Sequence, residues 1–415
     1  MKGRFNQIYY PFHNVENEGR LKISKLMTLL EGHDYYDQIY KFFKIGSVKD
    51  EYIIIDNIDL LFEKISFVKS NFRVFNIKAS IADISVDEVM RDVEGVNGNP
   101  IEFTFDKYVD EIGENKKNLK AFAIHDAKNS FLDQYDMAKY ANRLYRDKLP
   151  ALAKYNIDYF KSLTKKDPMK NRPRSYRMLE HKSELFLRAI TSVKQYNEYG
   201  YDFTFVVSML IFHEVMKENI GNNYTISSAG LSASKLEIIV SEKKLIDAEE
   251  FGKISSTIMV TTNDLGSASL KFQNIVKIGV KDQRGFYLFP KNKVNYKNEI
   301  SISHSFKIDK ALEVLRADLY KLSSSNELLN SLKEIKKIKN PFDLKQRISL
   351  KIESPRSAFR NIKEVKDLFG ANVNNDITNL ASLLELCRKA EELDIDYDLK
   401  EKIRVIISEI ILDRR

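Results

Sequence analysis

Tryptophan is absent and cysteine occurs once, at Cys387. A single thiol excludes an internal disulfide and any zinc cluster built on cysteines. Its setting, ASLLELCRKAEEL, has helical apolar spacing and predicts a core position. No run reaches the ~18 apolar residues that a membrane-spanning helix needs. The opening residues, MKGRFNQIYYPFHN, hold no apolar stretch of signal-peptide type, so an intracellular, cytoplasmic protein with no membrane partner is expected. The phosphate-cradling G-x-x-x-x-G-K-[ST] is missing, which leaves the Walker-B-like YIIIDNIDLL around Asp56 without a triphosphate cradle. H-E-x-x-H is missing too, because HEVMK at His213 carries Lys217 where the second histidine would stand. No nucleotide, haem or zinc is implied.

What is there suits folded domains. The 415 residues are too many for one ordinary core, so two or three domains are expected. The chain is 43% hydrophobic and 30% charged, and its aromatic content is 21 Tyr and 25 Phe. That balance excludes a disordered chain. Its Lys, Ile and Asn richness is the composition of an AT-rich bacterial or phage genome. A net charge of +8 permits nucleic-acid binding without demonstrating it.

Pattern along the chain predicts an α+β, mixed α/β multidomain fold. Residues 1–165 read as a mixed α/β domain: strands at 52–55, 72–79, 101–105 and 119–124, helices at 60–72 and 132–149. Residues 166–222 read as a basic linker followed by helix over 178–219. Short alternating runs over 223–306 predict a β-rich domain. Residues 307–415 return to helical spacing, with KEIKKIK at 333–339 as an exposed helix face.

The chemically most informative stretch is AIHDAK, Ala123–Lys128, at the end of an apolar strand. An Asp and a Lys two apart point to the same side of a strand. An earlier strand, FTFD at Phe103–Asp106, ends in an acid, with Asp110 and Glu111 soon after. If these strands pair as neighbours in a hairpin, Asp106 or Asp110 can approach Asp126, and Glu88 or Glu94 could add a third acid. Such a set suits Mg²⁺, which takes a few carboxylate oxygens, keeps several waters and activates one of them. A second string of the kind, Glu242-x-Lys244 after Ile238–Val240, has no helix of useful length behind it.

With the following YDMAKYANRLY, Tyr135–Tyr145, the stretch over 85–150 resembles the core of the PD-(D/E)xK, restriction-endonuclease-like nucleases. The resemblance implies Asp106 and Asp126 as metal ligands, Lys128 as the catalytic lysine, and Mg²⁺ as cofactor. It departs from the family pattern: Pro100 precedes the strand instead of the Asp, and Asp136 stands where Gln is usual. The expectation is a metal-dependent nuclease acting on DNA, within a bacterial anti-phage defence or restriction system and with partner subunits of such a complex. A solvated strand end would carry the same letters. The basic run Lys165, Lys166, Lys170, Arg172, Arg174 and Arg177 is the candidate phosphate-contact segment. The alternative is a non-catalytic nucleic-acid-binding or scaffold subunit of a larger assembly.

Overall fold

The computed structural model describes residues 8–11, 18–89, 93, 100–218, 223–247, 252–266, 269–279, 285–289, 299–323, 340–371, 373, 377–395 and 397–412. Glu94 and the 333–339 run lie outside them. The class is α+β, as the pattern predicts. Among the described residues no helix is long and apolar enough to cross a membrane.

The chain starts with β1 (Ile8–Pro11), β2 (Arg20–Lys22), α1 (Ile23–Met27), α2 (Tyr36–Phe42), α3 (Ile45–Val48), β3 (Tyr52–Ile54) and α4 (Ile58–Asn71). Next come β4 (Arg73–Ala79), β5 (Ile84–Glu88), β6 (Ile101–Phe105), β7 (Tyr108–Val109), β8 (Asn115–Lys116) and β9 (Leu119–Ala123). Three helices follow: α5 (Ala127–Leu132), α6 (Ala138–Arg146) and α7 (Pro150–Thr164). The hairpin β10 (Arg174–His181) and β11 (Glu184–Thr191) leads to α8 (Tyr201–Glu218). These strands form one sheet in the order β5-β6-β9-β11-β10-β4-β7-β8. Helices α5 to α7 cover one face of it, through Phe131, Leu132, Ala141 and Ile157 against Phe103, Ala121, Met178 and Leu187.

A second sheet holds β12 (Tyr224–Leu231), β13 (Lys235–Glu242), β14 (Ile246–Asp247), β15 (Lys253–Asn263), β16 (Leu270–Gly279), β17 (Gly285–Leu288) and β18 (Glu299–Ile302). It is antiparallel, and β1 adds to its edge beside β12. Alternation along β13 sends Ile238 and Val240 to one face and Ile239 to the other. The first face packs on α8, whose whole circumference is buried from Phe203 to Phe212, with the hydroxyls of Thr204 and Ser208 turned onto backbone carbonyls four residues back. The last helices are α9 (Ile308–Ser323), α10 (Pro341–Glu353), α11 (Lys363–Phe369), α12 (Leu380–Glu391) and α13 (Tyr397–Leu412). Helices α10 to α13 bury Cys387, Ile348 and Ile407 against Ile254, Ile278 and Phe286.

Three expectations are corrected. The segment 178–219 is not helical throughout: a β-hairpin precedes α8. Lys182 and Ser183 both take left-handed φ, 49° and 65°, and form the two-residue turn that such a hairpin needs. Glycine or asparagine usually marks that turn, so the sequence carried no signal for it. The helix expected over 132–149 breaks, because Asp136 has φ 56° and separates α5 from α6. The boundary near 165 does not divide the chain, since β10 and β11 complete the sheet begun by β4 to β9.

Candidate functional site

Strands β6 and β9 pair antiparallel, as a hairpin would, with Phe105 opposite Leu119 and Glu102 opposite Phe122. The C-terminal end of β6 therefore lies beside the start of β9. Asp106 sits at that end, and Asp126 lies beyond the other end of β9. The four residue steps from Leu119 to Ala123 alone separate them by about 13 Å. A Mg²⁺ ion needs its ligands within about 2.1 Å. The register does not bring Asp106 and Asp126 to one cation. Among the described residues no group of three or more His, Cys, Asp or Glu is placed to hold a metal.

Each of these residues has another local role. Asp106 lies 3.7 Å from Lys161 of α7, and Lys161 also donates to Ser85 Oγ at 3.2 Å. With Lys154 on Asp87 at 2.6 Å, these contacts hold α7 against β5. Asp106 is half exposed, so an Asp106→Asn variant is expected to change stability by less than about 1 kcal/mol in thermal melts. Asp110 Oδ1 accepts from the backbone of Ile112 and Glu114 and shapes the turn between β7 and β8. Asp126 precedes α5 and accepts from Asn129 Nδ2 at 2.5 Å. Lys128 is inside α5, not on a strand, so it points about 200° around the helix axis from Asp126. Its ammonium lies 5.3 Å from the Tyr145 ring centroid, where burial lowers its pKa against the pull of Glu88.

The basic segment divides. Lys165, Lys166, Lys170 and Arg172 are exposed and pair with no carboxylate among the described residues. Their loop is fastened: Asp167 Oδ1 accepts from the Met169 and Lys170 amides, and Asn171 Oδ1 accepts from the Ala82 amide. Arg177 belongs elsewhere and is corrected as a phosphate contact. It is 1% exposed on β10, paired with Glu198 and lying over the Tyr196 ring at 4.8 Å. Beside the loop, α7 turns Ala153 and Ile157 inward and leaves Leu152, Tyr155, Tyr159 and Leu163 exposed on its outer side. Tyr155 and Tyr159 are one helical turn apart, so both rings stand on one face.

Arg174 opens β10 and lines a cavity of about 680 Å³ between the two sheets. Arg188 and Lys235 line it too, as do His125 and its one carboxylate, Asp126. Sequence reading missed Arg188. The β10–β11 register jumps from Arg177 opposite Ala189 to Met178 opposite Leu187, so Arg188 is the extra residue of a β-bulge. A bulge re-aims its side chain, and no sequence pattern announced this one. Arg188 is fully buried: Nη1 donates to Ala233 O at 3.1 Å and to Ser234 Oγ at 3.3 Å, and Nη2 to Glu198 Oε1 at 2.9 Å. On its other side a cavity of about 420 Å³ is rich in acids, among them Glu31, Asp202 and Asp264.

Glu198 thus bridges two buried guanidiniums and accepts from Asn76 at 2.9 Å. Burial pushes its carboxyl up, but Arg177 and then Arg188 outweigh that, and its pKa falls from 4.5 to about 2. Asp264 moves the other way: burial raises it although Arg177 opposes. A carboxylate depressed in the fold stabilises it above its unfolded pKa. That contribution is lost as pH falls from about 4.5 through about 2. Glu198→Gln is therefore expected to weaken the fold at neutral pH and to flatten its acid dependence. Denaturation midpoints measured between about pH 5 and 2 check this; parallel curves for variant and wild type would count against it.

The signals that could have located the cavity were few. Arg174 was read as part of a basic run and Asp126 as a metal ligand, and both do line it. Comparison with known proteins finds no family model, no curated protein and no solved structure that matches the chain.

Proposed function

We propose that the protein binds single-stranded nucleic acid through the loop 165–172 and the exposed tyrosine face of α7. The observation that carries this reading is the set of four exposed cations, without a carboxylate partner among the described residues, on a fastened loop that runs through Arg174 into the cavity. Cations in that state give up little when they meet phosphates, and the counterions released supply the affinity. Tyr155 and Tyr159 offer flat faces to unstacked bases. Binding without an assigned hydrolytic step is the reading, because Asp106 and Asp126 stand at opposite ends of the antiparallel β6–β9 pair.

Fluorescence anisotropy with a labelled single-stranded oligonucleotide tests it. Affinity should fall steeply with salt and exceed that for duplex of the same sequence. Salt-independent binding, or none, would reject the proposal. Leu152 and Leu163, exposed on the same helix face, favour a second reading in which α7 docks a protein subunit. That reading expects Leu152→Ser with Leu163→Ser to abolish association with the partner while leaving oligonucleotide binding as it was.

A further inference from the structure

The cavity between the sheets is lined by buried hydrogen-bond donors that no described residue answers. Arg188 has five N–H groups. Nη1 spends both of its own on Ala233 and Ser234, and Nη2 spends one on Glu198. Among the described residues Nε has no hydrogen-bond partner, although the side chain is fully buried. What remains is the N–H of Nε and one of Nη2. The Tyr196 hydroxyl, another lining group, is also buried with no partner among the described residues. The ring faces of Tyr196 are taken, by His304 at 4.4 Å and by Arg177 at 4.8 Å, so only its hydroxyl is left to act. An unmade buried hydrogen bond of this kind destabilises the fold, and more so when the group is charged.

The open groups are donors, so the ligand they fit brings acceptor oxygens. Arg174 and Lys235 line the same space, with Asp126 beside them. Deeper in, Arg177 and Arg188 sit against Glu198 and Asp264. A carboxylate would use two acceptor oxygens, whereas a phosphomonoester brings three and a charge near −2. Guanidinium matches such a group two bonds at a time. The volume of about 680 Å³ exceeds a bare phosphate and lies within the range of small-molecule sites. Thr191, Ser192 and Asn263 on the lining can meet a sugar, and Leu265 can meet its apolar base.

We propose that this cavity holds a phosphomonoester on a nucleotide, seated between Arg174, Arg188 and Lys235, and that it reads the phosphorylated end of a bound strand. The proposal rests on the nucleic-acid reading only for the source of the phosphate, since a free nucleoside monophosphate presents the same chemistry. The bulge at Arg188 is what makes the seat: it takes one guanidinium out of strand alternation and delivers it to the cavity floor. The loop 165–172 then guides the backbone of the same strand to Arg174 at the rim.

The test compares four ligands on the intact chain: a single-stranded oligonucleotide ending in a 5′-phosphate, the same with a 3′-phosphate, the same with hydroxyls only, and a nucleoside monophosphate. Wild type is expected to prefer one phosphate-ended strand over the hydroxyl-ended one by about tenfold or more. Lys235→Ala, on the rim at the start of β13, is expected to remove that preference. Arg188→Lys keeps the charge while losing the fork, so it should reduce the preference; if it fails to fold, Lys235→Ala still decides. Hydroxyl-ended and phosphate-ended strands that bind equally well would overturn the end-reading seat and leave the nucleic-acid reading standing. A monophosphate that binds in a Lys235-dependent way, with no strand bound, would uphold the seat and overturn the nucleic-acid reading. No binding of any of the four would overturn both.

Discussion

Replacing Arg404 by alanine is expected to lower the stability of the fold by about 3–5 kcal/mol, the usual result of stranding buried charges. Arg404 lies on α13, 2% exposed, and reaches across to the second sheet. Its Nη1 pairs with Glu237 of β13 at 2.9 Å, and its Nη2 with Glu391 of α12 at 2.8 Å. The guanidinium also lies over the Tyr287 ring at 5.2 Å. Both carboxylates are buried, so removing the cation leaves two negative charges with little water near them. Lys400 stands nearby, its ammonium donating to the Glu391 carbonyl at 2.5 Å, but burial lowers its pKa to about 8 against the pull of Glu391, so it is a weaker counter-charge than the guanidinium. Denaturant midpoints of wild type and Arg404→Ala measure the effect. A companion variant makes the interpretation sharper. Arg404→Met with Glu237→Leu and Glu391→Leu removes every charge of the triad and should recover most of the loss. If the single variant cost less than about 1 kcal/mol, the cluster would have to be solvated, and the C-terminal helices would not be fastened to the sheet through it.

The sequence made the regular parts of this fold legible. Strand Ile101–Phe105 and helix α4 follow from apolar periodicity, and the β-rich stretch 223–306 became the second sheet. What stayed hidden depended on partners far away in the chain. Arg177 and Arg188 look like surface cations until Glu198 and the bulge are in view. Residues 185–190 carry an apolar run broken only by Arg188, and a strand buried on both faces gives no alternation to read. The Lys182–Ser183 turn lacks the residues that advertise such turns. The expected acid pair fails for a related reason. The hairpin pairing is as expected, but the antiparallel direction that a hairpin requires puts the end of β6 beside the start of β9 and sends Asp106 away from Asp126. Within the candidate site, chemistry was legible for single letters, Arg174 and Asp126, and not for the cavity that unites them.

Neutralising Lys165, Lys166, Lys170 and Arg172 together is expected to weaken single-strand binding by about a hundredfold or more near 0.1 M salt. Four phosphate contacts to a single strand give a log–log salt slope of about −3, and the quadruple alanine variant should bring that slope toward zero. The four side chains are exposed and make no ion pair among the described residues, so the fold should tolerate the change. The Asp167 turn and the Asn171 tie to Ala82 stay intact in this variant. Tyr155→Ala and Tyr159→Ala probe the other half of the interface. Each is expected to remove about 1–3 kcal/mol per stacked base while leaving the salt slope unchanged. The pattern matters more than any one number. Loss of slope in the cation variant with retained slope in the tyrosine variants places backbone and bases on the surfaces named here. Equal slopes throughout would mean that strands bind at another face, and the four cations would then be an ordinary solvated loop.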